Sequence, residues 1–114
     1  MKSKRILGLF LVLLTNINFL FAQNGNDDNF FGGIKTVVID AGHGGKDVGC
    51  LGAIGKEKDV ALSISLKLGK YLEETFPNLK VIYTRKTDVF IELSERAKIA
   101  NKNKADLFIC IHAN

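Results

Sequence analysis

The chain has 114 residues, with 16 Lys and Arg against 12 Asp and Glu for a formal charge of +4, which leaves room for one domain at most. Lys2, Lys4 and Arg5 supply most of that excess, since 13 basic and 12 acidic residues remain without them. A near-neutral body lacks the basic face that nucleic acid requires, so nucleic acid is excluded as a partner.

Residues 1–22 carry a basic start, an apolar run from Ile6 to Phe21 and a small residue, Ala22, before a polar stretch. That order is a secretory signal peptide, cleaved after Ala22 despite the bulk of Leu20. A membrane anchor is the rival. The clean apolar run, Ile6 to Leu14, is too short to span a bilayer, and Thr15, Asn16 and Asn18 interrupt the residues after it. The expectation is an exported protein, periplasmic or cell-wall associated, with no membrane attachment once the signal is removed. Residues 23–33 (QNGNDDNFFGG) read as a flexible tether.

The folded part is expected over 34–114. Thr36 to Ile39 is a short β-branched run closed by Asp40-Ala41-Gly42-His43-Gly44-Gly45, which suits a strand buried on both faces followed by a loop. Asp59 to Phe76 fits two periods. Val60, Leu62, Ile64, Leu66 and Leu68 alternate, yet Val60, Ile64, Leu68 and Leu72 recur every fourth residue, with Ala61, Ser65 and Leu66 widening the stripe. A stretch of that length without a turn signal is a helix, stopped by Pro77-Asn78. Lys80 to Thr84 is a second strand. Ser94 to Lys104 is a short amphipathic helix with Ala97, Ile99 and Ala100 inside and its Arg and Lys outside. Leu107 to Ile111 is a third strand. The fold class is therefore α/β, a β-α-β-α-β start of a twisted, mainly parallel sheet with helices on both faces. Cys110, inside the third strand, is expected to behave as a buried small hydrophobe, and nothing in the spacing recommends a bridge to Cys50.

The chain has two histidines. His43 follows the first strand and His112 the third, and α/β sheets bind ligands beyond the carboxyl ends of their strands. Glu57 heads the first helix and returns to the same edge. Two imidazoles and a carboxylate make a common catalytic zinc set with one position left for water. Asp40, Asp47 and Asp59 are candidates to orient an imidazole N–H from behind. Gly42, Gly44 and Gly45 allow the close approach such a site needs. Alone, each residue has a plainer account, a strand-end histidine as a satisfied loop residue and Glu57 as a solvated helix start.

Five ordered blocks then carry a family resemblance. They are Val38-Ile39-Asp40-Ala41-Gly42-His43-Gly44-Gly45, Gly55-Lys56-Glu57-Lys58-Asp59, Thr84-Arg85 with Asp88, Leu93 and Arg96 with Ala100-Asn101, and Ala105-Asp106-Leu107 running to Ile111-His112-Ala113-Asn114. Together they resemble the zinc-dependent N-acetylmuramoyl-L-alanine amidases that cleave bacterial cell walls. The resemblance covers Ile34 to the end and implies zinc ligands at His43, Glu57 and His112. It implies peptidoglycan as the substrate and leaves room for an activator protein as a partner. Cys110 departs from the family's usual serine, with a packing change as the expected consequence.

Family domains place a catalytic glutamate near their C-terminus, and nothing after His112 supplies one here. Residues 34–114 are thus expected to be the N-terminal part of a catalytic domain, without its general base and inactive alone. Asp40 and Asp47 are poor substitutes. A second expectation is a module that holds zinc or wall glycan without cleaving it. Arg85 and Arg96 are expected to pin helices to the loop edge through carboxylates such as Asp88, ahead of any contact with substrate.

Overall fold

The computed structural model describes residues 32–113. The expected signal peptide, and all of the expected tether except Gly32 and Gly33, lie outside the described residues. Three parallel strands, β1 (Thr36–Ala41), β2 (Lys80–Tyr83) and β3 (Leu107–Ile111), form one sheet in the order β2-β1-β3. Helix α1 (Glu57–Thr75) links β1 to β2, and α2 (Leu93–Lys102) links β2 to β3. The two crossovers move in opposite directions along the sheet, so right-handed connections put their helices on opposite faces.

Side-chain alternation shows the same division. Ile39 and Tyr83 are register partners, and Tyr83 lies against Gly69 of α1, so α1 covers the face shared by Val37, Ile39 and Ala41. Asp40 bonds to Arg96 of α2, so α2 covers the opposite face. Sandwiched this way, Val37, Val38, Ile39 and Ala41 are at most 1% exposed. Each buried Val or Ile stabilises the fold by about 1.5–3 kcal/mol against leaving it in water. β1 is the central strand for this reason, and its continuous apolar run is the sequence signature of that position.

The buried stripe of α1 keeps Ala61, Ser65 and Leu72 of the expected one but turns away from Val60 and Ile64. Ala61, Ser65, Gly69 and Leu72 are buried, whereas Val60 and Ile64 are 42% and 44% exposed. Small residues let the helix sit close to the sheet. A Cβ on Gly69 would lie 1.9 Å from the Tyr83 hydroxyl oxygen, so the tyrosine ring occupies the notch that the glycine leaves. The helix begins at Glu57, two residues before the expected start, without a side-chain cap. Loop carbonyls do that work. The amides of Glu57 and Lys58 donate to the carbonyls of Cys50 and Val48 at 2.9 and 3.2 Å, satisfying donors that a helix start otherwise leaves unpaired.

Helix α2 inverts its expected amphipathicity at one position. Arg96 is its buried residue, 5% exposed, while Ala97 faces solvent. The helix ends at Lys102 because Lys104 takes φ +50°, with the amides of Lys104 and Ala105 donating back to the carbonyls of Asn101 and Ala100. That pair of bonds is a Schellman motif with lysine where glycine is usual.

Strand β3 lies at the edge of this sheet, and Leu107 and Phe108 are 38% and 41% exposed. Cys110 is exposed as well, which corrects the expectation that it is buried, because an edge strand has less packed around it than β1. Both cysteines are free thiols. Among the described residues no helix is long and apolar enough to cross a membrane.

Candidate metal centre

β1 and β3 are hydrogen-bonded neighbours, with Ala41 opposite Ile111. Their carboxyl ends therefore emerge side by side. The Gly42 amide donates to the Ile111 carbonyl at 3.0 Å and extends the ladder one step further. His43 and His112 leave at this point with ring centroids 4.9 Å apart and planes at 84°.

Glu57 closes the group from the first position of α1. Its Oε1 lies 2.9 Å from His112 Nδ1 and its Oε2 3.1 Å from His43 Nε2. One donor atom from each of the three residues falls within 4.8 Å of the others. The carboxylate is buried and also accepts the amides of Cys50 at 2.8 Å and Ala113 at 3.1 Å. Those two amides, with the His112 contact, hold its pKa down to about 2 against the opposing effect of burial. Glu57 is thus an anion in the working pH range, seated at a helix N-terminus that favours negative charge.

His43 is fixed from behind. Asp47 Oδ2 lies 2.9 Å from His43 Nδ1, and the Gly49 amide donates to Asp47 Oδ1 at 3.2 Å. These contacts, the histidine first, hold the Asp47 pKa below its ordinary value. With Nδ1–H given to Asp47, the Nε2 lone pair points at Glu57 Oε2. Two acceptors 3.1 Å apart need an electrophile between them, either a proton or a metal cation. The donor set suits the second. Two imidazoles and one carboxylate, with an acidic residue orienting one ring, match the usual make-up of a zinc centre.

Glycines form the cradle. A Cβ on Gly42 would lie 2.5 Å from His112 Cε1, and one on Gly49 would lie 2.6 Å from His43 Cδ2 and 2.7 Å from Glu57 Oε2. Gly49 also has φ +65°, a conformation that other residues rarely adopt.

Of the three carboxylates considered for orienting an imidazole, Asp47 alone reaches one. Asp40 is buried on the α2 face and takes Thr84 Oγ1 at 2.6 Å, Arg96 Nη1 at 2.8 Å and Cys110 Sγ at 3.2 Å. Asp59 is exposed on the first turn of α1 and bonds to neither ring. Although Cys110 is exposed as a residue, desolvation of its sulfur, then the bond to Asp40, push the thiol up to about 11, and the Glu57 carboxylate raises the Cys50 thiol. Neither sulfur is poised as a thiolate.

The arginines bind carbonyls more than carboxylates. Arg85 donates to the carbonyls of Ala41, Gly42, Lys58 and Thr87 at 2.7–3.1 Å. Asp88, the carboxylate expected to hold them, instead takes Lys58 Nζ at 2.5 Å and the Gly45 amide at 2.8 Å. Arg96 donates to the carbonyls of Ile91, Ala41 and His43 and to Asp40. Sequence pattern does not single out Lys58 or Gly49. The Asp47-Val48-Gly49 turn carries a signal for the glycine, but a lysine beside a helix start reads as solvated.

The chain matches the model of a protein family described as N-acetylmuramoyl-L-alanine amidase over residues 37–114. It is 48% identical over 80 residues to the endolysin of Bacillus phage SPP1, covering 70% of this chain and 29% of that protein. It is 43% identical over 96 residues to the N-acetylmuramoyl-L-alanine amidase AmiC of Escherichia coli O6:H1, covering 82% of this chain and 23% of the relative. The solved catalytic domain of CwlV, an amidase of the same name from Bacillus (Paenibacillus) polymyxa var. colistinus, superposes with a TM-score of 0.67 at 46% identity, covering 71% of this chain and 46% of that one. The chain thus spans less than a third of the length of these two curated relatives. Since the family model matches residues 37–114, more than half of the chain, the chain belongs to the N-acetylmuramoyl-L-alanine amidase family.

Proposed function

We propose that this chain supplies the metal-holding part of a zinc-dependent N-acetylmuramoyl-L-alanine amidase, which hydrolyses the amide between N-acetylmuramic acid and the L-alanine of peptidoglycan stem peptides. The observation that carries this reading is the convergence of His43, Glu57 and His112 at one sheet edge in a chain of that family. Zinc, when bound, supplies Lewis acidity that polarises a carbonyl and makes water nucleophilic near neutral pH. The residues of the chain build the seat. Asp47 sets the His43 tautomer, and the amides of Cys50 and Ala113 keep Glu57 ionised.

A proton carrier is still needed to take the proton of water and pass it to the leaving amine. Asp47 is committed to His43 and Asp40 to Arg96 and Thr84, so we place that base outside the described residues. In this reading the described residues hold zinc and the base acts from elsewhere. The wall lies outside the cytoplasm, which agrees with reading residues 1–22 as an export signal.

Peptidoglycan digestion tests the proposal. A protein carrying this segment together with a late glutamate should release stem peptides with free L-alanine amino groups and create no new reducing sugar ends. Chelation should stop the release and added zinc restore it. Release that survives full chelation sinks the zinc reading, and new reducing ends sink the amidase reading.

A further inference from the structure

His43 is held in a backbone conformation that its own chemistry disfavours. Its φ is +59°, in the left-handed region where a residue with a Cβ is uncommon and persists only if its surroundings hold it. The conformation has a consequence for the site. It turns the His43 carbonyl inward while the imidazole points at Glu57. A relaxed His43 would rotate both together and take Nε2 away from the carboxylate.

Three successive carbonyls here end on buried guanidinium groups. Arg85 takes Ala41 and Gly42, and Arg96 takes Ala41 at 2.7 Å and His43 at 2.8 Å. Arg96 is thus the guanidinium that grips the strained residue itself. It is 5% exposed, anchored on one side by Asp40 at 2.8 Å and on the other by the Ile91 carbonyl at 3.0 Å. All its bonds come from one planar fork, a geometry that lysine cannot reproduce.

We propose that Arg96 is a positioning residue of the metal centre, holding the His43 backbone left-handed so that the imidazole faces Glu57 and His112. The proposal rests on the metal-binding reading above and assigns a role that neither histidine reveals. It also explains why an arginine occupies the inner face of α2. The helix acts as a strut whose buried end is the carbonyl clamp.

The test separates site geometry from stability. Zinc affinity by calorimetry and the zinc-free unfolding midpoint are measured for the full chain and for R96K, L72A and D40N. Trimethylamine N-oxide is present throughout to favour the compact state. R96K should bind zinc roughly 10–100-fold more weakly, the range typical for loss of a ligand's supporting partner. L72A removes packing from α1 away from the centre and should lower the midpoint while leaving affinity within about threefold. D40N leaves the bonds from Arg96 to Ala41 and His43 possible and should likewise keep affinity within about threefold. R96K binding zinc as tightly as the unaltered chain would overturn the role of Arg96. So would D40N weakening binding about tenfold or more, since the counter-charge rather than the carbonyl grip would then matter. An unaltered chain that takes up no zinc counts against the metal reading itself, so the two failures are distinguishable.

Discussion

His43 and His112 follow neighbouring strands, His112 level with Gly42 and His43 one residue beyond, and their surroundings differ. His43 follows a central strand buried on both faces; its ring is backed by Asp47 and its carbonyl gripped by Arg96. His112 follows an edge strand, its side chain is 43% exposed, and Glu57 is its ring's hydrogen-bond partner among the described residues. One half of the group is preorganised by a scaffold, while the other leans on the Glu57 carboxylate between them. The difference teaches that Glu57 does more than complete a donor set. It is the link through which the well-held side positions the looser one.

Removing either ring should have the largest effect on metal binding. H43A and H112A should each weaken zinc affinity by at least ~100-fold in a calorimetric titration, with C110S retaining it. The comparison adds a second readout, since H43A loses two ring contacts, to Asp47 and Glu57, and H112A loses one, to Glu57, so H43A should cost more folding stability. Retained zinc stoichiometry in H43A would remove that residue from the centre.

The glycines probe the same asymmetry from the backbone side. A Cβ on Gly42 meets the ring of the half-exposed His112, whereas one on Gly49 meets the more enclosed His43 and Glu57 and sits at positive φ. G42A should therefore weaken zinc binding with a modest stability loss of about 1 kcal/mol. G49A should lose zinc and destabilise by about 1–3 kcal/mol more. Denaturant unfolding of the two zinc-free variants checks this, and equal losses would show that the two halves are equally rigid.

The smallest effect is expected at the far end of the β1–β3 pair. Asp106 Oδ2 accepts the amides of Lys35 and Thr36, both at 2.8 Å, and those bonds, Lys35 first, hold its pKa below the ordinary 3.8. A depressed carboxylate pKa stabilises the fold at pH above the unfolded value, and the contribution disappears as pH falls through the lower folded value. D106N should remove that part of the acid limb and leave zinc affinity unchanged. Melting scans between neutral pH and about pH 2 would show it. A midpoint profile that keeps its full acid drop in D106N would assign the loss to other depressed carboxylates, such as Asp47 and Asp88.

Much of the fold is legible in the sequence because it rests on local pattern. The β-branched run at Val37–Ile39 reads as a doubly buried strand, and Pro77 ends α1 as expected. The register of α1 is legible only in part: Ala61, Ser65 and Leu72 lie in the expected stripe and are buried, Val60 and Ile64 are not. A periodic stripe of large apolar residues points to Val60 and Ile64, but close helix–sheet packing selects the small ones, and only the Tyr83–Gly69 contact reveals why. Arg96 escapes a sequence reading for a related reason. On an isolated helix an arginine belongs in water, and its burial makes sense only where carbonyls from another element turn toward it.

The sequence by itself determined which residues the structure brings together: two histidines at strand ends, a glutamate at a helix start, and glycines around them. Residue type and spacing suffice there, because strand ends and helix starts place side chains at one sheet edge in any fold of this class. Only the tertiary structure decided how those residues are held. It showed that Asp47 backs an imidazole while Asp40 does not, that Asp88 pairs with Lys58, and that two guanidiniums hold the backbone of the His43 turn. The guanidinium contacts join residues tens of positions apart through main-chain carbonyls. A carbonyl is present at every residue, so no side-chain pattern in the sequence can single it out.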